Sequence, residues 1–126
     1  MITGFYAGLL AMILVVLILR IVRCRWKFKV GLGDGGIKEL EQNIRIHGNF
    51  IETVPVLLIL LFLLETNSTP ELALHVFGIS IILSRCLHAF GLRSSPTVSF
   101  GRTFGTVMTN ALLVIGGVTL IVQFIS

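Results

Sequence analysis

Polar side chains recur at helical spacing in EQNIRIHGNFIETVP, residues 41–55. At about 100° per residue they share an arc of about 80° on one helix face, and we call them the polar stripe: Glu41, Arg45, Asn49 and Glu52. The apolar run VPVLLILLFLL begins two residues after Glu52, so the stripe lies where a helix enters hydrocarbon. An unpaired charge at the centre of a membrane helix costs roughly 2.5–3.5 kcal/mol. Glu52 therefore needs a charged partner or a cavity that admits water or a ligand.

Two interpretations of the polar stripe are open. In the first, Glu52 pairs with a basic residue and the pair only stabilises helix packing. In the second, the aligned polar groups line a hydrophilic ligand site, and Pro55 kinks the helix just beyond it. The balance of charges favours the second, because one membrane level collects five arginines against a single deep acid: Arg20, Arg23, Arg45, Arg85 and Arg102.

Two later segments also carry polar faces. Arg85 and His88 are three residues apart near one end of the third span, and Arg102 shares a face with Thr106 and Thr109 at the start of the fourth. A basic, partly dehydrated pocket with one carboxylate suits a ligand with two carboxylates and one ammonium, because arginine makes paired hydrogen bonds to carboxylates. The same pocket would also hold a thiolate or a phosphate.

Membrane helices are the elements that must position these residues. Of the 126 residues, 55% are hydrophobic and 13% are charged, whereas soluble domains average about 45–50% and about 25%. Four apolar segments are long enough to cross a bilayer. The sequence predicts an all-α, integral membrane four-helix bundle in one domain, residues 1–126, with spans at about 2–22, 42–64, 72–90 and 104–125. The first segment is interpreted as a retained helix, because it lacks the basic start and small-residue cleavage site of a signal peptide.

The distribution of charge predicts an orientation. All ten Lys and Arg residues lie in or beside the first and third linkers, while the second linker and both termini have none. Under the positive-inside rule, loops 1 and 3 face the cytosol and the termini lie on the opposite side. The net charge of +4 is then a topology signal, and no nucleic-acid partner is expected.

Both cysteines are expected to be free thiols, and no cysteine or histidine spacing predicts a metal site.

The pattern Arg45-x3-Asn49-x2-Glu52-x2-Pro55, at the start of the second of four spans, resembles the signature of the MAPEG family, membrane-associated proteins in eicosanoid and glutathione metabolism. The longer stretch GDGGIKELEQNIRIHGNFIETVP is most similar to the bacterial branch. The resemblance implies a homotrimer of left-handed four-helix bundles. The similarity to the bacterial branch favours a bacterial inner membrane over an organelle membrane that faces the cytosol. The resemblance also implies that glutathione binds between neighbouring protomers at the cytosolic side.

The resemblance further implies roles for individual residues. Arg45 would hold a glutathione carboxylate, Asn49 would bond the peptide backbone, and Glu52 would take the γ-glutamyl ammonium. Arg102 matches the arginine at the start of helix four that holds the sulfur as a thiolate, which makes it the predicted catalytic residue. The other predicted glutathione-binding residues are His47, Arg20, Arg23, Arg85 and His88.

The activity implied is that of a glutathione transferase or peroxidase. A guanidinium in a low-dielectric site favours the thiolate, which attacks a lipophilic electrophile or lipid hydroperoxide from the surrounding lipid. The chain departs from the family where active relatives carry tyrosines, since Thr53, His88 and Leu92 stand there. One alternative is a non-catalytic lipid- or thiol-binding protein of the lipoxygenase-activating type. A small multidrug transporter is another, although its membrane glutamate lies in helix one, which has no acid here.

Overall fold

The structure, a computed structural model, describes residues 1–93 and 100–126, apart from the side chains of 90–93. Residues 94–99 of the predicted third linker and the Leu92 side chain lie outside the described residues. The described part contains four helices, each long and apolar enough to cross a membrane: α1 (Ile2–Phe28), α2 (Lys38–Thr66), α3 (Glu71–Arg93) and α4 (Phe100–Ile125). Each predicted span lies within one of them, so the all-α four-helix prediction is confirmed.

The four helices form a bundle in which α2 and α3 are central. In the described part, α1 packs on α2 and α3, α4 packs on the same two helices, and α1 and α4 do not touch. The core between them is apolar, and its most deeply buried side chains include Leu57, Leu61 and Ile81, all at 0% exposure. The outer faces are also apolar, as expected for helices that face lipid, so apolar character alone does not distinguish the inside of the bundle from its outer surface.

A glycine-rich turn connects α1 to α2. Gly35 and Gly36 have φ values of 56° and 74°, which glycine adopts without the steric cost that a Cβ would bring. The Asp34 carboxylate accepts a hydrogen bond from the Gly36 N–H at 2.9 Å. The turn therefore serves to reverse the chain. Further along α2, Pro55 lies inside the helix, which continues past it to Thr66.

A carboxylate at the end of α2 caps the start of α1. The two oxygens of Glu65 accept hydrogen bonds from the backbone N–H groups of Ile2 and Thr3 at 2.6 and 2.8 Å. These N–H groups have no partner within their own helix and carry a partial positive charge. The contact joins residues more than sixty positions apart and shows that α1 and α2 run antiparallel.

We expect Glu65→Gln to lower the Tm of the protein in detergent by a few degrees. The amide keeps only one acceptor oxygen, and it loses the negative charge that favours a helix N-terminus. The matched control is Glu71→Gln, which also loses a negative charge at a helix N-terminus, that of α3, but loses no hydrogen bond to a described residue. Thermal unfolding followed by circular dichroism compares the two, and equal shifts of Tm would contradict a capping role for Glu65.

Close approach of α3 and α4 depends on Gly105. A Cβ at this position would lie 2.7 Å from the carbonyl oxygen of Ser84 and 2.8 Å from the amide nitrogen of His88. Both are backbone atoms, so no side-chain rotation can make room. Small residues at membrane-helix interfaces allow such close contact. Gly105 therefore allows α4 to carry Arg102, one turn earlier on the same face, up to α3.

Candidate functional site

The polar stripe of α2 divides between the interior and the outside of the bundle. Asn49 is half-buried, whereas Arg45 and Glu52 are exposed. Neither Arg45 nor Glu52 makes a hydrogen bond or ion pair with any residue that the structure describes. Glu41, the outermost member, lies 3.9 Å from the Lys38 ammonium. The packing interpretation of the stripe requires a partner for Glu52, and the described part of a single protomer provides none.

Arg85 joins three helices inside the bundle. Its Nη2 donates to Asn49 Oδ1 at 2.6 Å on α2, and its Nη1 donates to Thr109 Oγ1 at 3.2 Å on α4. The Thr109 hydroxyl in turn donates to the carbonyl of Gly105 at 2.9 Å. Arg85 is 1% exposed, and its guanidinium carbon lies 5.9 Å from the centre of the Phe50 ring. A charge that sequence analysis assigned to a ligand pocket is thus part of the protein interior.

His88 lies beside this network, one turn along α3. It is 4% exposed, and its Nδ1 has no hydrogen-bond partner among the described residues, as is also true of Arg85 Nε. Both Arg85 and Arg102 are near enough to act electrostatically on His88, and Arg102 is half-buried at the start of α4. A buried polar atom without a partner costs about 1–3 kcal/mol, so these two atoms make this part of the interior costly to bury.

The α1 arginines lie elsewhere in the protomer. Arg20 and Arg23 line a cavity of about 840 Å³ between α1, α2 and α3. On α2 this cavity is lined by residues that lie about 60° to 160° around the helix from Arg45, namely Glu39, Gln42, Asn43 and Ile46. A single protomer therefore keeps Arg20 and Arg23 apart from the stripe.

His47 is separated from the stripe as well. It is half-buried and faces about 160° away from Arg45 around α2. Like the α1 arginines, it does not lie beside the polar stripe within this chain. The structure thus brings together part of the predicted site and leaves three of its members on other faces: His47, Arg20 and Arg23.

Among the described residues, no tyrosine lies beside the polar stripe, where the family resemblance leads us to expect one. Tyr6, the chain's one tyrosine, is 3% exposed and its hydroxyl lies 2.8 Å from His75 Nδ1. This pair is near the Glu65 end of the bundle. Thr53, which follows Glu52, donates its hydroxyl to the Asn49 carbonyl at 2.8 Å. The hydrogen-bond donors around the stripe are therefore the guanidinium groups and the Asn49 amide.

The sequence did not indicate two features of the site, a hydrogen bond to Thr109 and a close helix contact at Gly105. The hydroxyl of Thr109 accepts a hydrogen bond from Arg85, and Gly105 sets the distance between α3 and α4. Helical spacing did place Thr109 on the same face as Arg102, which is the signal that was available. The described residues contain no cluster of three or more His, Cys, Asp or Glu side chains able to hold a metal ion, and both cysteines are free thiols.

The chain is similar to one known family and to bacterial relatives. The model of the MAPEG family matches residues 3–122. Inner membrane protein YecN of Escherichia coli K12 is 36% identical over 91 residues, which cover 72% of this chain and 70% of YecN, and YecN of Escherichia coli O6:H1 gives the same values. No solved structure matches the chain at a significant level.

Proposed function

The chain belongs to the MAPEG family, and we propose that it binds glutathione and activates the thiolate for attack on lipophilic electrophiles or lipid hydroperoxides. Its four apolar helices and its inner membrane relative make it a multi-pass protein of a bacterial inner membrane. In this proposal loops 1 and 3 face the cytosol and the termini lie on the opposite side, because the Lys and Arg residues collect in and beside those two loops. Glutathione then enters from the cytosol and the second substrate from the lipid.

The observation that carries the proposal is that Arg45 and Glu52 are exposed and have no partner among the residues that the structure describes. They lie on one face of α2, about two helical turns or roughly 10 Å apart. Glu52, seven residues deeper than Arg45 and with a short side chain, would face hydrocarbon only at a cost of roughly 2.5–3.5 kcal/mol. Glutathione has a carboxylate and an ammonium separated by a peptide of similar length, so it can pair with both. The Asn49 amide, between them, can donate to the peptide.

A guanidinium near the sulfur supplies the chemistry. Arg102 lies at the start of α4, where it acts on the same region as Arg85 and His88. An opposite charge within about 4–6 Å raises the ionisation constant of an acid by about ten- to a thousandfold, which lowers its pKa. Arg102 thereby raises the fraction of bound glutathione present as thiolate, which is the nucleophile. With a carbon electrophile, the sulfur forms the S–C bond while the leaving group departs with its electron pair, or the opened double bond takes up that pair and then a proton. With a hydroperoxide, the sulfur attacks the outer oxygen, the O–O bond breaks and the alcohol leaves; a second glutathione then reduces the sulfenic acid to give glutathione disulfide and water.

A neighbouring protomer completes the site in this proposal. The protein is a homotrimer, as the family resemblance implies, and a second copy covers the exposed face of α2. That contact keeps lipid away from Arg45 and Glu52. It also provides a route by which Arg20, Arg23 and His47 reach the glutathione of an adjacent protomer. Arg85 is buried and does not contact the ligand directly; it acts on the ligand through Asn49, to which it donates a hydrogen bond.

Titration calorimetry with glutathione in lipid nanodiscs tests the proposal. We expect saturable binding with one site for each interface, and turnover with one of three electrophile classes: halogenated aromatics, enals or hydroperoxides. Glutathione disulfide, which lacks a free thiol, is the control for the chemical step. The absence of glutathione binding at millimolar concentration would overturn the proposed function.

We expect Glu52→Gln to weaken glutathione binding about tenfold, because a charge-assisted hydrogen bond to the γ-glutamyl ammonium is lost. The same substitution should change the affinity for a des-amino analogue much less, since that ligand has no ammonium. Glu71→Gln removes the same charge at the far end of the bundle and should leave both affinities unchanged. Equal losses for the two ligands would argue against an ammonium contact at Glu52.

A non-catalytic thiol- or lipid-binding protein is the second candidate. It is favoured by the position of Tyr6, whose hydroxyl is engaged with His75 away from the stripe, so the chain lacks a phenol where active relatives have one. The titration distinguishes the two functions. Glutathione binding without turnover on any of the three electrophile classes would support the second, and turnover would exclude it.

A further inference from the structure

A short polar contact inside the membrane part of the protein joins Arg85 to Asn49. The distance from Arg85 Nη2 to Asn49 Oδ1 is 2.6 Å, which is short for a charge-assisted N–H···O hydrogen bond. Arg85 has only donors, so the atom of Asn49 that faces it must be the amide oxygen. The contact therefore determines which way the Asn49 side chain is turned.

This orientation directs the NH2 group of Asn49 away from Arg85. Asn49 is half-buried, and its NH2 group makes no hydrogen bond with the described residues and is not enclosed by them. An asparagine amide that turns freely can offer a ligand either a donor or an acceptor. Held by Arg85, it offers only the donor.

Because Arg85 is buried, any effect that it has on a ligand must be indirect. At 1% exposure the guanidinium has no surface for a ligand to touch. Its second hydrogen bond, to Thr109, anchors it to α4 and restricts its rotation. A buried guanidinium is costly to desolvate, and replacing it by an apolar side chain of similar length would remove that cost, so stability alone does not account for a charge here.

We infer that Arg85 is a positioning residue that holds the Asn49 amide with its NH2 group toward the ligand, so that the site selects a carbonyl oxygen at that point and rejects an N–H. This inference rests on the proposed function in one respect, namely that glutathione provides the carbonyl. The ligand chemistry selected is a peptide or carboxylate oxygen placed between the group bound by Arg45 and the group bound by Glu52.

A double-mutant cycle with glutathione tests whether Arg85 acts through Asn49. We expect Arg85→Met to weaken binding about tenfold, the effect of one lost hydrogen bond with a charged or well-oriented group. In an Asn49→Ala background the same change should have no further effect, because the amide that it positions is gone. Thr109→Val removes the other acceptor of Arg85 without touching Asn49 and should reduce affinity much less. Additive losses from Arg85→Met and Asn49→Ala would overturn the inference.

A second pair of variants tests the orientation itself. Asn49→Asp keeps the oxygen that faces Arg85 but replaces the outward NH2 by a second oxygen, which repels a ligand carbonyl. We expect it to bind glutathione more weakly than Asn49→Ala. If the amide oxygen instead faced the ligand, Asn49→Asp would preserve the contact and bind nearly as well as the unmodified protein, and the inference would be wrong.

A measurement without ligand separates failure of this inference from failure of the proposed function. Side-chain NH2 relaxation of Asn49, assigned by its loss in Asn49→Ala, reports how firmly the amide is held. We expect an order parameter near the rigid value of about 0.85 in the unmodified protein and below about 0.6 in Arg85→Met. Equal order in both proteins would overturn the positioning role even if glutathione binds, and a clear loss would support it even if glutathione does not.

Discussion

Arg102→Ala is expected to reduce the thiolate fraction of bound glutathione at neutral pH by about tenfold or more. A free thiol ionises with a pKa of about 8.5, so little thiolate exists at neutral pH without help. A guanidinium within about 4–6 Å raises the ratio of thiolate to thiol by about ten- to a thousandfold. Removing the guanidinium returns this ratio toward that of free glutathione. The ultraviolet absorbance of the thiolate, measured as a difference spectrum on adding glutathione, reports the change directly.

The control for this experiment is Lys29→Ala. It removes one positive charge from the exposed end of α1 and so matches the change in net charge at a position outside the site. Its difference spectrum should equal that of the unmodified protein. Glutathione affinity should fall much less in Arg102→Ala than the thiolate signal does, because the contacts from the polar stripe are intact. A thiolate signal that is unchanged in Arg102→Ala would remove Arg102 from the catalytic role.

Gly105→Ala is expected to destabilise the protein by about 1–3 kcal/mol, the usual cost of forcing extra volume into a packed interface. The added Cβ would meet backbone atoms of Ser84 and His88 at 2.7 and 2.8 Å, so α3 and α4 must move apart. The movement also withdraws Arg102 and Thr109 from α3. We therefore expect the thiolate signal to fall together with stability, although the substituted residue touches no ligand.

Gly117→Ala is the matched control on the same helix. A Cβ at Gly117 has nothing within 4 Å, and alanine is favoured over glycine inside a helix by about 0.5–1 kcal/mol. Detergent-induced unfolding should therefore show Gly117→Ala as stable as the unmodified protein or slightly more so, and Gly105→Ala as clearly weaker. If both variants have the same stability, close approach at Gly105 is not what holds α3 against α4.

The helices could be predicted from the sequence because hydrophobic length is a local property. The spans at 2–22 and 42–64 both lie inside the observed α1 and α2, which extend further, to Phe28 and from Lys38. The extensions consist of charged, amphipathic turns such as RCRWKF, which continue the helix beyond the apolar run. A hydrophobicity criterion detects only the apolar part of each helix, so it underestimates the length of a helix that has a charged end.

Part of the candidate site could also be predicted, because spacing along a helix gives the angles between its side chains. The common face of Arg45, Asn49 and Glu52 follows from that spacing alone. The capping of α1 by Glu65 could not be anticipated, since the two groups are more than sixty residues apart and no local pattern connects them. The burial of Arg85 had no sequence signal either, because an arginine near a helix end is expected to reach the interface.

The sequence by itself determined the number of spans, the apolar character of the bundle, and the alignment of charges on α2. Only the tertiary structure decided that Arg85 points into the protein while Arg45 and Glu52 point out of it, and that Arg20 and Arg23 line a different cavity. The physical reason is that helical periodicity specifies directions within one helix but leaves its rotation about its own axis undetermined. That rotation is set by packing against neighbours, here by contacts such as Gly105 against Ser84 and His88.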